Sequence, residues 1–268
     1  MAGAARRKPR TVFFGIGGQA RRVRVVFQPV EATHFFDLRQ TSPPSPPAAR
    51  SSGNFDRVAW CYDALAGLVF GGSLRRAQRA ALAGLPAGAP CVLVLGGGTG
   101  WVLTEVLRRC PRATVLYLEA SGPMLARAVG HLRRTAPGAA GQVEFRRGTE
   151  AMLGPSEQFD ALVTFFVLDC FPLDVLGPAL DRLAAARRPT APWLLADFCR
   201  PRYGWQRVLL GAMYRFFGAV AALQTRQMPD LHAALGERGL HSAQQTFFFG
   251  GAIEGTVFLP AGPDDAPK

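Results

Sequence analysis

Hydrophobic positions along most of the chain switch repeatedly between two periods. Cys91 to Leu95 (CVLVL) is a short, wholly apolar run, the pattern of a strand buried on both faces of a parallel sheet. Trp101 to Cys110 (WVLTEVLRRC) then takes up helical spacing and is stopped by Pro111. The exchange recurs with a strand at Thr114–Leu118, a helix from Met124 to Arg134 with Ser121 as its N-cap, and a strand at Val143–Arg147. Asp160–Phe166 (DALVTFF) predicts a fourth strand, Leu173–Ala186 a helix, Trp193–Phe198 (WLLADF) a fifth strand and Gln206–Ala222 a longer helix. Near the end, Gln244–Phe249 (QQTFFF) and Thr256–Leu259 (TVFL) are separated only by GGAIEG. That is too short for a helical crossover, so the two should pair as an antiparallel hairpin.

The first part of the chain does not share this alternation. ARRKPR and RRVR are charge runs, and TSPPSPPAARSSG can form neither helix nor sheet. Residues 1–52 therefore read as a basic, Pro/Ser-rich disordered tail or a spurious N-terminal extension, and 53–268 as the folded domain. No ten-residue apolar core of a secretory signal is present, while an Arg-rich, acid-poor start also fits an organelle transit peptide. From Asn54, NFDRVAWCYDALAGLVFGGSLRRAQRAALAGL predicts one or two helices broken at Gly71-Gly72.

With 268 residues, 49% of them hydrophobic, the chain can bury a sizeable core. Of the net charge of +12, +7 comes from the first fifty residues, where nine Arg/Lys face only Glu31 and Asp37. The high pI thus describes a tail rather than a groove, and nucleic acid is not expected as a partner. Five scattered cysteines without a C-x-x-C pair suggest a reducing, cytoplasmic setting, and four dispersed histidines predict no metal site. The most apolar window, Val208–Leu223, is short for a membrane span and carries Arg215.

Chemistry concentrates at VLVLGGGTGW, residues 92–101. The dinucleotide fingerprint G-x-G-x-x-G would need a glycine where Trp101 stands, so the spacing is instead G-x-G-x-G, with Gly96, Gly98 and Gly100. This favours a ligand held by a tight turn without a pyrophosphate, although glycines also occur where a strand and a helix merely pack closely. Glu119 ends the second strand, nineteen residues past Gly100, where a carboxylate can accept hydrogen bonds from both hydroxyls of a ribose or simply be solvated.

These segments resemble the class I S-adenosylmethionine-dependent methyltransferases. VLVLGGGTGW is similar to their first motif, LEASGPMLARA to the second strand and its helix, QFDALVTFFVL to the fourth strand and WLLADF to the fifth. NFDRVAWCYD and MYRFF look most like the branch containing ubiquinone/menaquinone biosynthesis C-methyltransferases. The resemblance covers about residues 54 to 260. It implies an α/β, Rossmann-like fold: a seven-stranded, mostly parallel sheet in the order 3-2-1-4-5-7-6, last strand antiparallel, with helices on both faces. It also implies an enzyme that moves a methyl group from S-adenosyl-L-methionine to a small, lipophilic acceptor.

Residue by residue, the resemblance places Gly96, Gly97, Gly98, Thr99 and Gly100 around the cofactor and Glu119 on its ribose. Ala120 and Met124 would pack on the adenine, with Thr149 or Glu150 at its amino edge. Thr164, Phe165 and Phe166 would lie where donor meets acceptor, Tyr62 would line the site beside Asp63, and Asp169 would act as general base or as a helix cap. Trp205–Phe217 is a candidate lid giving peripheral access to a lipophilic acceptor. Three departures stand out: Val94 and Leu95 replace the acid before the first glycine, Gly148-Thr149-Glu150 replaces G-D, and Pro189-Thr190-Ala191-Pro192 replaces a glycine pair.

Rival classes are a nicotinamide-dependent oxidoreductase, an RNA or protein methyltransferase, and a non-catalytic interaction or regulatory module of the same fold. Trp101 and the lack of an internal lysine for a Tyr-x-x-x-Lys pair argue against the first. No basic stripe interleaved with aromatics outside the tail supports the second. The missing acid before Gly96 favours the third.

Overall fold

The computed structural model describes residues 25–26, 69–221 and 228–261, with the backbone alone at 25–26 and 213–221. The strands are β1 (Cys91–Leu95), β2 (Thr114–Glu119), β3 (Val143–Arg147), β4 (Ala161–Phe165), β5 (Trp193–Phe198), β6 (Leu240–Phe248) and β7 (Ile253–Pro260). They lie in the order β3-β2-β1-β4-β5-β7-β6, parallel except for β7, which runs antiparallel to both β5 and β6. These seven strands take the expected order, and a two-residue strand, Val25–Val26, adds in parallel to the outer edge of β3.

Every residue of β4 and β5 is buried, which is why their sequences are continuous apolar runs. One face of the sheet carries Val92, Val94, Tyr117, Val163, Ala196 and Val257 under α1 (Ser73–Ala81), α2 (Trp101–Arg109) and α3 (Gly122–Thr135). The other carries Leu93, Leu118, Leu162, Trp193, Leu195 and Phe258 under α4 (Leu173–Ala185) and α6 (Leu231–Gly236). Between β5 and α6 runs α5 (Gly204–Ala221), whose Leu210 joins the first face. As expected, Ser121 caps α3, its hydroxyl accepting the Met124 N–H at 3.4 Å.

The hairpin forms as predicted but is longer. It turns at Phe249–Gly251, β7 already begins at Ile253, and β6 reaches back to Leu240. Leu240 anchors the extra part in the core, and His241, Ser242 and Ala243 are exposed because this is an edge strand, bonded on one side only. Helix α6 was not expected; Asp230 caps it, accepting the Ala233 N–H at 3.0 Å.

Against the hairpin, α1 packs without room for a side chain. A Cβ on Gly255 would stand 2.1 Å from the Ala77 carbonyl oxygen, and backbone on both sides cannot yield cheaply. Gly255→Ala is therefore expected to destabilise the fold by about 2 kcal/mol or more, whereas Gly138→Ala, whose Cβ meets nothing, should change it little. Denaturant titration of the two variants measures the difference.

Candidate functional site

The C-terminal ends of β1, β2, β4 and β5 meet where the strand order reverses on either side of β1, the place where open α/β sheets bind ligands. From β1 the chain enters the glycine turn. Three of its glycines are required by the protein's own packing: a Cβ would stand 2.4 Å from Val167 at Gly96, 2.5 Å from the Tyr117 ring at Gly97 and 2.8 Å from the α3 backbone at Gly100. Gly98 differs. Its φ of +62° suits glycine, yet nothing lies within 4 Å of the position its Cβ would take. Open space at this turn is therefore found beside Gly98, with Thr99 next to it, and α2 starts directly afterwards at Trp101.

Glu119 ties this turn to β2. Its Oε2 accepts the Gly98 N–H at 3.0 Å and its Oε1 the Ser121 N–H at 2.8 Å, while the Tyr117 hydroxyl donates to the Gly98 carbonyl at 3.0 Å. The carboxylate is 7% exposed, and burial raises its pKa despite these backbone donors. A carboxylate has about four lone-pair sites, so two accepted bonds leave capacity for a ligand's hydroxyls. Ala120 is exposed and Met124 half-buried at the start of α3 beside it.

After β4 the backbone turns at Phe166, a non-glycine residue with φ of +52°, whose ring packs on Phe198 at 5.2 Å. Phe165 is buried. Asp169 follows on a single 3-10 turn, Leu168–Cys170, 7% exposed, with the Cys170 thiol donating to its Oδ1 at 3.4 Å. On β5, Asp197 is fully buried; its Oδ1 accepts the Phe198 N–H at 2.8 Å, and its Oδ2 has no hydrogen-bond partner. Burial, followed by the charges of Asp169 and Glu254, holds the Asp197 carboxyl protonated well above the usual carboxylate range. Burial also pushes up the Cys170 thiol, with the charges of Asp169, Asp197 and Glu119 adding to it, so the three carboxyl groups share one neighbourhood.

Glu254 lies directly opposite Asp197 in the β5–β7 register. Burial raises its pKa, but hydrogen bonds from His232, Gln245 and Thr256 outweigh this and hold it low. The same bond raises His232, and Cys199 nearby is pushed to about 12, chiefly by burial.

Other expected site residues are engaged elsewhere. Thr164 is buried, its hydroxyl accepting the Trp193 indole N–H at 2.8 Å. Thr149 caps the 3-10 turn Glu150–Met152 by accepting the Ala151 N–H at 3.4 Å, and Glu150 is buried with Oε1 3.5 Å from Arg182 of α4 and Oε2 without a hydrogen-bond partner. Tyr62 and Asp63 lie outside the described residues. Asp197 and Tyr117 were missed as site residues. For Asp197 the signal was present, an acid inside the apolar run WLLADF.

Residues 93–192 match the family model described as a methyltransferase domain. Among solved structures, the chain is similar to the mitomycin 7-O-methyltransferase (23% identity, TM-score 0.54, covering 70% of this chain and 54% of that one). It is similar also to the Burkholderia thailandensis 1,6-didemethyltoxoflavin-N1-methyltransferase with bound S-adenosylhomocysteine (16%, 0.55, 82% and 95%). A third is the magnesium protoporphyrin IX methyltransferase of Synechocystis PCC 6803, also with S-adenosylhomocysteine bound (16%, 0.50, 78% and 84%). The fold is that of the S-adenosylmethionine-dependent methyltransferases. The chain thus spans about half the length of the mitomycin enzyme. No curated protein sequence matches it closely enough to count as a relative. Among the described residues no helix is long and apolar enough to cross a membrane, and no His/Cys/Asp/Glu group is arranged to hold a metal.

Because the folded-state pKa of Asp197 is raised, its contribution to stability is fully present below about pH 4, where the unfolded carboxyl titrates, and is lost as pH rises through the folded value. Asp197→Asn keeps the acceptor for Phe198 and does not ionise. Its stability relative to wild type should therefore improve steadily as pH rises from about 4 toward neutrality, read as thermal midpoints across that range.

Proposed function

We propose that the protein transfers a methyl group from S-adenosylmethionine to a small, lipophilic acceptor. The observation that carries this reading is the sign of the crevice. Beside a glycine turn with open space at Gly98, the strand ends bring the carboxylates of Glu119 and Asp169 near the neutral, protonated Asp197, and among the described residues Glu119 is not paired with a basic side chain. Such a site favours a cationic ligand bearing hydroxyls and disfavours the pyrophosphate of a nicotinamide dinucleotide.

The residues fit that cofactor. Glu119 has acceptor capacity left for two ribose hydroxyls, and the turn beside Gly98 admits a ligand close to the backbone. Ala120 and Met124 flank the carboxylate where an adenine would lie, and Thr149 stands at the end of β3 with its hydroxyl facing the turn it caps. When bound, S-adenosylmethionine supplies an electrophilic methyl group on a sulfonium. The chain's own contribution is then to bind, orient and exclude water, which explains the absence of a nucleophile triad among the motifs. Phe165, Phe166 and Phe198 make an apolar wall at the end of β4. Asp169, beside that wall, accepts the proton that the acceptor loses.

The likeness of NFDRVAWCYD and MYRFF to the quinone C-methyltransferases supports a lipophilic acceptor and a Tyr62 that lines the site, and the scattered, unpaired cysteines support a cytoplasmic setting. A second reading, a non-catalytic module of the same fold, is favoured by Val94, which is buried in the core where that family carries an acid. Binding of cofactor without turnover of any acceptor would support it.

Calorimetric titration of the full chain with S-adenosylhomocysteine tests the assignment. Binding should fall about a hundredfold or more in Glu119→Ala, since two hydrogen bonds to a charged group are lost, and NAD should produce no heat. Undiminished binding in the variant, or a preference for NAD, contradicts it.

A further inference from the structure

After β5 the chain runs from Phe198 to Pro229 with five arginines and not one Asp or Glu. Its first part is clamped over the β6–β7 turn by Gln206, itself fully buried. The Gln206 carboxamide oxygen accepts the N–H groups of Arg202 at 2.9 Å and Tyr203 at 3.1 Å, and its nitrogen donates to the carbonyls of Phe249 at 3.2 Å and Gly250 at 3.0 Å. The clamp fixes the start of α5 and leaves apolar side chains facing outward: Tyr203 is 55% exposed, Trp205 52% and Val208 74%. Val208 is three residues past Trp205 and so shares its helix face. Phe247 of β6, 46% exposed, lies under the guanidinium of Arg202, the neighbour of Tyr203, 5.7 Å from its ring.

Around these side chains stand Arg200, Arg202 and Arg207, all exposed and none in an ion pair with a carboxylate among the described residues. A surface evolved only for solubility mixes both signs of charge. Here protruding aromatic and aliphatic groups belong to a segment whose only charged residues are arginines. Inward, the patch continues as a file of rings: Trp205 to Phe249 at 5.4 Å, Phe249 to Phe70 at 5.1 Å, Phe70 to Phe198 at 5.4 Å and Phe198 to Phe166 at 5.2 Å. This file joins the exposed face to the end of β4 at the candidate site.

We propose that the face formed by Tyr203, Trp205, Val208 and Phe247 with Arg200, Arg202 and Arg207 docks on an anionic phospholipid membrane. Tyr and Trp are suited to the headgroup level, where an apolar body meets a polar tip, and the guanidinium groups suit lipid phosphates. Tyr, Trp and Arg also suit a protein interface, but a segment with five arginines and no acid matches a uniformly anionic surface best. The docking itself does not rest on methyl transfer; the ring file shows only that the face and the candidate site belong to one packed unit.

The test uses the full chain and vesicles of phosphatidylcholine alone or mixed with phosphatidylserine, some with brominated acyl chains. Sedimentation should require phosphatidylserine and weaken about fivefold for each arginine changed to glutamine. Val208→Asp should abolish most of it, and Trp205→Phe should keep sedimentation while losing the quenching of tryptophan emission by brominated lipid. Because the readout is lipid binding, failure here leaves the methyltransferase assignment untouched. The proposal is overturned if no phosphatidylserine-dependent binding occurs. It is also overturned if Val208→Asp and Trp205→Phe change nothing, which would assign binding to another surface such as the Arg-rich first fifty residues. A dimer in light scattering that Val208→Asp dissolves would instead make this face a contact between two copies of the chain.

Discussion

The buried carboxylate of Glu119 is the interaction on which the site depends. It joins two segments 21 residues apart by accepting the Gly98 N–H, and joins the start of α3 to both by accepting the Ser121 N–H. Burial makes the charged form costly, and these backbone donors offset part of that cost. Each oxygen accepts one backbone N–H, which leaves acceptor capacity next to Gly98, where an added Cβ would meet nothing. Tyr117 reinforces the arrangement from below, with its ring against Gly97 and its hydroxyl on the Gly98 carbonyl.

The second constraint is electrostatic. Parallel strands bring their C-terminal ends to one side of the sheet, and here three of those ends or the turns after them carry acids. They do not share the charge equally. Glu254 is held ionised by His232, Gln245 and Thr256, while burial first, and then the charges of Asp169 and Glu254, keep Asp197 protonated. One neighbourhood thus contains carboxyl groups in different states, a condition that gives one group a proton to hold and another the ability to accept one.

Most of this architecture was legible because burial on both faces writes itself into composition. CVLVL, ALVTF and WLLADF read as strands since the sheet covers them with helices on either side. The beginning of β6 was not legible, because HSAQ lies on an edge strand with its side chains in water, and a six-residue helix such as α6 has too few positions to show a period. Spacing pointed to Glu119 at the end of β2, and its partners Gly98 and Ser121 are fixed by the strand-turn-helix unit that contains it. Spacing could not orient Thr164, whose hydroxyl is taken by Trp193, nor Glu150, which lies against Arg182 of α4. Asp197 acquires its character from complete burial in the sheet and from Asp169 and Glu254, which are neighbours through topology and not through sequence.

Hydrogen exchange of the full chain with and without S-adenosylhomocysteine tests the account most directly, because it reads the backbone amides that the Glu119 carboxylate organises. The account predicts slowed exchange at Gly96 to Gly100 and at Glu119 to Ser121, with the β6–β7 hairpin unchanged and NAD without effect. Protection elsewhere, or none at these two segments despite measurable binding, would contradict the placement of the cofactor at this turn.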